Sequence, residues 1–185
     1  MRDHRQNRQA DQQDDLWVFG YGSLMWNPGF AFVEKRPGRM AGVHRAPCIF
    51  SWVHRGTQES PGIVLGLAAG GSCQGMFFRV EAANSEAVID YLRERELVTH
   101  VYLERMRRGV LDTGEAVTAL TYIADRHHRQ YAGKLSVDQL VRQISGAVGK
   151  SGDNESYILD TVDMMLAAGI RDSLMEQVAA RLRSK

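Results

Sequence analysis

The chain has 185 residues, 44% hydrophobic and 24% charged, with a formal net charge of +1. That length supports one ordinary soluble domain with a sizeable core, and the balanced charge argues against a nucleic-acid partner or an anionic membrane surface. No apolar run approaches the ~20 residues a membrane span needs, and the two cysteines, Cys48 and Cys73, lack Cys-x-x-Cys spacing and fit a reduced, cytoplasmic setting.

Met1 to Asp15 is polar and charged, without the apolar core of a secretory peptide, and reads as a disordered tail. With no repeat or linker after it, a single domain is expected over residues 16–185. Leu16–Tyr21 is the first predicted strand. It runs into Gly20-Tyr21-Gly22-Ser23-Leu24-Met25, where two glycines let a ligand lie against bare main chain. Such a loop can turn several backbone N–H groups toward one anionic or carbonyl-bearing ligand; it can equally be a tight turn that holds nothing. A dinucleotide fingerprint is excluded, because Met25 stands at its third glycine and Asn27-Pro28-Gly29 is a turn, not a helix start. No Gly-x-x-x-x-Gly-Lys-Ser/Thr phosphate loop occurs either.

Pro47–Trp52 and Ile63–Leu67 read as short strands. Gln74–Val80 reads as the hairpin partner of Ile63–Leu67 across Ala69-Gly70-Gly71-Ser72. Val101–Met106, Gly109–Leu111 and Ala116–Ala124 suggest a meander turning at Asp112-Thr113-Gly114. Four helices are expected. Asn84 or Ser85 caps one that reaches about Glu96, and Ser136 caps one running through Val148. Asn154–Ala168 is stopped by Gly169, and Asp172 caps a last helix with Leu174, Val178 and Leu182 on one stripe. Strands first and most helices late predict an α+β fold: one compact domain with a curved mixed or antiparallel, barrel-like sheet and packed helices.

The helix at 84–96 carries the second signal. At about 100° per residue, Val88, Ile89, Tyr91 and Leu92 share an apolar arc, and Glu96 falls inside it. Glu94 falls on the opposite, solvated side. A carboxylate on a buried stripe is costly unless paired or used, and burial raises its pKa toward the range of a general base. Glu96 is therefore the candidate catalytic residue, unless the helix ends before it and the side chain reaches water. Arg95 borders the same arc as a candidate ion partner.

Other groups invite weaker roles. Ser23 lacks the Gly-x-Ser-x-Gly elbow of a nucleophile and reads as a turn former or hydrogen-bond donor. Cys48 and Cys73 read as small core residues, although a Cys/His hydrolase, whose partners meet only in space, stays open. His127 and His128 are adjacent, so their rings diverge, and His44, His54 and His100 lack ligand spacing; no metal site is expected. Arg105, Arg107 and Arg108 read as a solvated strand face. Tyr122 and Tyr131 are either pocket-lining or core residues.

Taken as an ordered series, these segments resemble one family. Val18-Phe19-Gly20-Tyr21-Gly22-Ser23-Leu24, with Trp26 and Pro28-Gly29-Phe30, resembles the opening of the ChaC family of γ-glutamylcyclotransferases. So do Tyr91–Val98 with Tyr102, His54-Arg55-Gly56-Thr57, Pro61–Leu67 and Gly71-Ser72-Cys73 before Gly75. Gln130-Tyr131-Ala132-Gly133, Ser151-Gly152 with Tyr157, and Gly169-Ile170-Arg171-Asp172 complete the series, which spans about Leu16 to Arg183. The resemblance implies conversion of glutathione to 5-oxoproline and cysteinylglycine without metal, nucleotide or other cofactor. It implies Glu96 as catalytic residue and Gly20, Tyr21, Gly22, Ser23, Leu24 and Met25 as the loop holding the γ-glutamyl group. Cyclisation of other γ-glutamyl amines, or γ-glutamyl binding without catalysis, are the alternatives. The family often has glycine near the position of His100, so this histidine is expected to narrow or repolarise the pocket mouth.

Overall fold

A closed five-stranded barrel forms the centre of the fold, in the order β1-β3-β2-β4-β5. The computed structural model describes residues 14–184, so most of the expected tail lies outside the described residues. β1 is Leu16–Gly20, β2 Glu34–Ser51, β3 Gly62–Val80, β4 Tyr102–Leu111 and β5 Ala116–Ala124. All neighbours are antiparallel except β1 and β5, which run parallel through Trp17 opposite Ala119 and Val18 opposite Leu120 and close the barrel. The sheet is thus mixed and barrel-like, as expected. Helix α1 is Ser85–Glu96, α2 Val137–Ile144, α3 Asn154–Ala167 and α4 Ser173–Arg183. Two short strands, β6 (Val148–Gly149) and β7 (Gly152–Asp153), pair with each other between α2 and α3.

Phe19 and Phe77 stack inside the barrel with ring centroids 4.6 Å apart. Their bulk is accommodated by glycine. A Cβ on Gly109 would stand 2.3 Å from the Phe77 ring and one on Gly38 2.7 Å from it, so the strands close on the ring only where they carry no side chain. Met40, Ile63, Leu67, Leu140, Ile144, Ile158 and Met175 extend this core to α2, α3 and α4. A second cluster, with Val18, Phe78, Val88, Leu92 and Leu120, seats α1 on the other side of the sheet.

Four expectations are corrected. Ile63–Leu67 and Gln74–Val80 are not a hairpin but two ends of β3, both paired with β2 from Gly62 opposite Ser51 to Arg79 opposite Glu34. Gly70 and Gly71, at φ +94° and +73°, bend the strand opposite a bulge at Gly42 instead of reversing it. The partner strand begins at Glu34, well before its expected start at Pro47, and runs through Pro37, Gly38 and Gly42. Val101–Met106 and Gly109–Leu111 are likewise one strand, β4. The helix capped by Ser136 does form, with a full capping box to Gln139, but it stops at Ile144. Gly146, at φ +74°, turns the chain away and leaves Val148 exposed in β6. At the start of α1, neither expected residue caps by its side chain: Asn84 makes no such bond, and Ser85 Oγ donates back to Glu81 O.

α3 and α4 match the sequence closely. Asp153 and Asp172 accept from the Ser156 and Met175 amides at the two N-termini, and Gly169 (φ +71°) ends α3. Asn154, fully buried, donates to Ile63 O and accepts from Ile63 N at 2.6 Å, which fixes the start of α3 against β3. No helix among the described residues is long and apolar enough to cross a membrane.

Candidate active site

Where β1 ends, the chain makes a short 3-10 turn over Ser23–Met25. A Cβ on Gly20 would lie 2.9 Å from Leu24 Cβ, so glycine here allows the turn to fold back onto its strand. The turn opens a cavity of about 520 Å³. Its walls come from the turn, the β2–β3 connection, the C-terminal end of α1, the start of β4 and one face of α3.

Tyr21, Gly22, Ser23 and Leu24 line this cavity; Gly20 and Met25 do not. Met25 is buried behind the turn, its sulfur 3.9 Å from Arg45 Nη2. The two residues therefore shape the loop, and substrate contact falls to the four between them. Met25 N donates to Gly22 O, but among the described residues the Gly22, Ser23 and Leu24 amides have no hydrogen-bond partner. They are the free N–H groups at the start of a helical turn, the arrangement that favours a negative or carbonyl oxygen.

Glu96, the last residue of α1, also faces the cavity, with 19% of its side chain exposed. Burial raises its pKa, opposed by the Arg95 guanidinium, whose Nε lies 3.3 Å from Oε1. Arg95 does more than pair with it. Its Nη2 donates to Ser23 Oγ at 3.0 Å, and its Nη1 to Asn27 O at 2.8 Å and Tyr91 Oη at 3.1 Å. One guanidinium thus joins the glycine turn to the carboxylate. Ser23 Oγ is an acceptor here, not a nucleophile with an adjacent base. Glu94 is exposed, as its helical phase requires.

Three tyrosines close the floor. Tyr102 Oη donates to Leu65 O at 2.8 Å, and Tyr157 Oη accepts from Leu65 N at 3.4 Å. Burial raises the pKa of Tyr21, Tyr102 and Tyr157, with the neighbouring Glu96 charge adding to it in each case. All three remain neutral hydroxyls at physiological pH. Tyr157 keeps its own proton to donate, because its bond to Leu65 uses it as acceptor. Tyr122 lines the cavity and donates to Glu104, which Arg93 grips with two nitrogens at 2.9 Å. Tyr131 lies outside, in a β-bridge with Ile49.

Behind the turn sits Arg45, a residue to which sequence reading assigned nothing. Its Nε donates to Tyr21 O at 2.6 Å and its Nη2 to Gln74 O at 2.7 Å, while Nη1 lies 4.0 Å from Asp172. The side chain is 4% exposed. It holds the glycine turn to β3 from below, from the part of β2 before Pro47 for which no strand was expected.

The Cys/His hydrolase reading finds no geometry. Cys48 and Cys73 are buried and neither lines the cavity; burial pushes the Cys48 thiol up to about 12, the opposite of an activated thiolate. His54 lines the cavity with Nδ1 2.9 Å from Ser151 Oγ. His100 does not line it: exposed and at φ +57°, it occupies a left-handed position, where glycine is the residue of least strain. The expected effect of His100 on the pocket mouth is therefore not supported by its placement. Among the described residues no three His, Cys, Asp or Glu side chains come together as a metal site.

The arrangement can fold a small polar ligand around a carboxylate of raised pKa, beside unpaired backbone donors. Residues 16–185 match the family model described as ChaC-like protein. The chain is 34% identical over 157 residues to the glutathione-specific gamma-glutamylcyclotransferase of Escherichia coli K12, covering 85% of this chain and 68% of that one. It is 35% identical over 159 residues to glutathione-specific gamma-glutamylcyclotransferase 1 of Danio rerio, covering 83% and 80%. A crystal structure of the yeast glutathione-specific γ-glutamyl cyclotransferase superposes with a TM-score of 0.81 at 20% identity, covering 92% of this chain and 99% of that one.

Proposed function

The chain belongs to the ChaC-like family, and we propose that it degrades glutathione, releasing 5-oxoproline and cysteinylglycine by ring closure within the γ-glutamyl group. The observation that carries this reading is a partly buried Glu96, raised in pKa and tied through Arg95 to a turn with three unpaired amides.

The chemistry follows from these groups. The substrate's α-amine is mostly an ammonium near neutral pH and must lose a proton before it can attack. Glu96, ionised, takes that proton. The amine nitrogen then bonds to the γ-carbonyl carbon, whose oxygen becomes an oxyanion. The Gly22, Ser23 and Leu24 amides are the donors that meet it, each worth about 2.7–4 kcal/mol when well aimed. The amide C–N bond breaks as Glu96 returns its proton to the departing nitrogen, and the second proton on the new ring nitrogen passes to the released amine, so that 5-oxoproline leaves as a neutral lactam and cysteinylglycine as an ammonium. Nucleophile and electrophile belong to one molecule, so the site chiefly has to hold the ring-closing conformer. Neither metal nor cofactor enters any of these steps. The cytoplasm, where glutathione is kept reduced, is the proposed compartment.

The test is a mass-spectrometric product assay on purified protein with glutathione. Formation of 5-oxoproline and cysteinylglycine in equal amounts is expected. Free glutamate in place of 5-oxoproline would replace cyclisation with hydrolysis.

A further inference from the structure

Two arginines and one histidine line the cavity, and they are not equivalent. Arg95 is paired with Glu96 and tied to the glycine turn. His54 is hydrogen-bonded to Ser151. Arg55 alone, among the described residues, has its guanidinium in the cavity wall without a carboxylate within ion-pair distance. Its single hydrogen bond runs from Nη1 to Asp153 O at 3.2 Å, leaving its other N–H groups unused. The guanidinium is nevertheless held in place: it lies over the Tyr157 ring, 5.1 Å from its centroid. Tyr157 in turn is fixed to β3 through Leu65. A planar donor fork, pre-oriented and without an anion, suits a carboxylate.

The same wall holds a second kind of unmet demand. Gln130 and Thr161, 3% and 1% exposed, both line the cavity, and Gln130 Oε1 and Thr161 Oγ1 have no hydrogen-bond partner. Gln130 is held by its own Nε2, which donates to Phe50 O at 2.8 Å, so its free oxygen is fixed in direction. Thr161 sits one helical turn beyond Tyr157 on the same face of α3. Both atoms are shut off from solvent, so they are a cost carried inside the cavity wall and not a surface offered to a ligand.

Resting on glutathione as substrate, we propose that Arg55 is the specificity residue for the leaving half, binding the terminal carboxylate of the cysteinylglycine unit. The γ-glutamyl end is thus held by the glycine turn and Glu96, and the dipeptide end by α3 and the β2–β3 connection. Selectivity for glutathione over shorter γ-glutamyl compounds then arises at Arg55, a positioning residue that takes no part in proton transfer.

The test compares glutathione with its C-terminal amide, in wild type, Arg55→Met and Arg55→Lys, reading KM and kcat separately. In wild type, KM for the amide should exceed that for glutathione by about ten- to a hundredfold, the worth of a hydrogen bond to a charged group. Arg55→Met should raise KM for glutathione to the level of the amide, leave kcat within about threefold, and make the two substrates alike. Arg55→Lys should recover part of the preference. A wild-type enzyme that treats acid and amide alike overturns the proposal whether or not the variants fold. Equal discrimination in wild type and Arg55→Met overturns it too. Failure of the wild type to cyclise either substrate would overturn the reaction itself, and this subsite with it.

Discussion

Replacing Arg45 with methionine should both destabilise the fold and slow the reaction. The substitution keeps an apolar stem of similar length but removes the guanidinium that bonds Tyr21 O at 2.6 Å and Gln74 O at 2.7 Å. Each hydrogen bond from a charged donor is worth about 1.5–3 kcal/mol, and the two carbonyls lose their partner in a buried place. Asp172 loses less, because it lies 4.0 Å from Nη1 and keeps its cap on the Met175 amide at 3.2 Å. With about 1 kcal/mol returned by methionine packing, a net loss of about 2–5 kcal/mol is expected, in the range for breaking a buried ion pair. For a domain of this size the melting temperature should fall by about 4–20 °C. Because Tyr21 O belongs to the glycine turn, kcat/KM should fall as well, measured well below the new melting point so that unfolding does not contribute. Thermal unfolding by circular dichroism with parallel steady-state kinetics makes the test. A melting temperature within about 2 °C of wild type, with unchanged kcat/KM, would refute the assignment of Arg45 as the clamp of the turn.

Three further outcomes are expected. Burial holds the Glu96 pKa above its unfolded value, so the folded state keeps a proton that the unfolded chain has already released. Stability from this group is therefore lost as pH rises through that window. Glu96→Gln should melt at or above wild type near pH 8, with the gap closing on acidification below the ordinary glutamate range; a variant melting clearly lower would mean that the Arg95 pair outweighs burial. Iodoacetamide on the native protein should leave activity intact, since both cysteines are buried and the Cys48 thiol is pushed up to about 12; inactivation in step with labelling would reopen a thiol mechanism. His100→Gly should leave KM unchanged and stability within about 1 kcal/mol, relief of the left-handed backbone offsetting the entropy of glycine; a changed KM would place His100 in the cavity after all.

How far the sequence could be read depended on whether its signals were local. The inward phase of Glu96 follows from the spacing of Val88 and Leu92, and α1 indeed ends on Glu96. The start of α3 at Asn154 and the cap of α4 at Asp172 follow in the same way, whereas Asp153 as the cap of α3 was not singled out. The end of β2 was read as the strand Pro47–Trp52, but its first part was hidden because Pro37, Gly38 and Gly42 carry loop chemistry, and only pairing with β3 makes that stretch a strand. Arg45 went with it. The Gly70-Gly71 corner looked like a hairpin for a related reason: glycines at positive φ serve a turn and a bent, bulged strand alike. The overrun of α2 had a readable stop, Ser145-Gly146, outweighed by the apolar spacing that Val148 continues by chance. Within the glycine turn, sequence alone could not separate residues that shape the loop, Gly20 and Met25, from those that face the cavity. The unpaired oxygens of Gln130 and Thr161 could not have been read from the sequence, because an unpaired atom is a property of the folded state.

The central claim is that Glu96 moves the proton in ring closure, and it is tested most directly by kcat of Glu96→Gln with glutathione beside Glu94→Gln as control. A loss of about 10²–10⁴-fold is expected at position 96, in a folded protein that still binds glutathione, with near-wild-type turnover at position 94. Near-wild-type kcat in Glu96→Gln, or a comparable loss in Glu94→Gln, would contradict it.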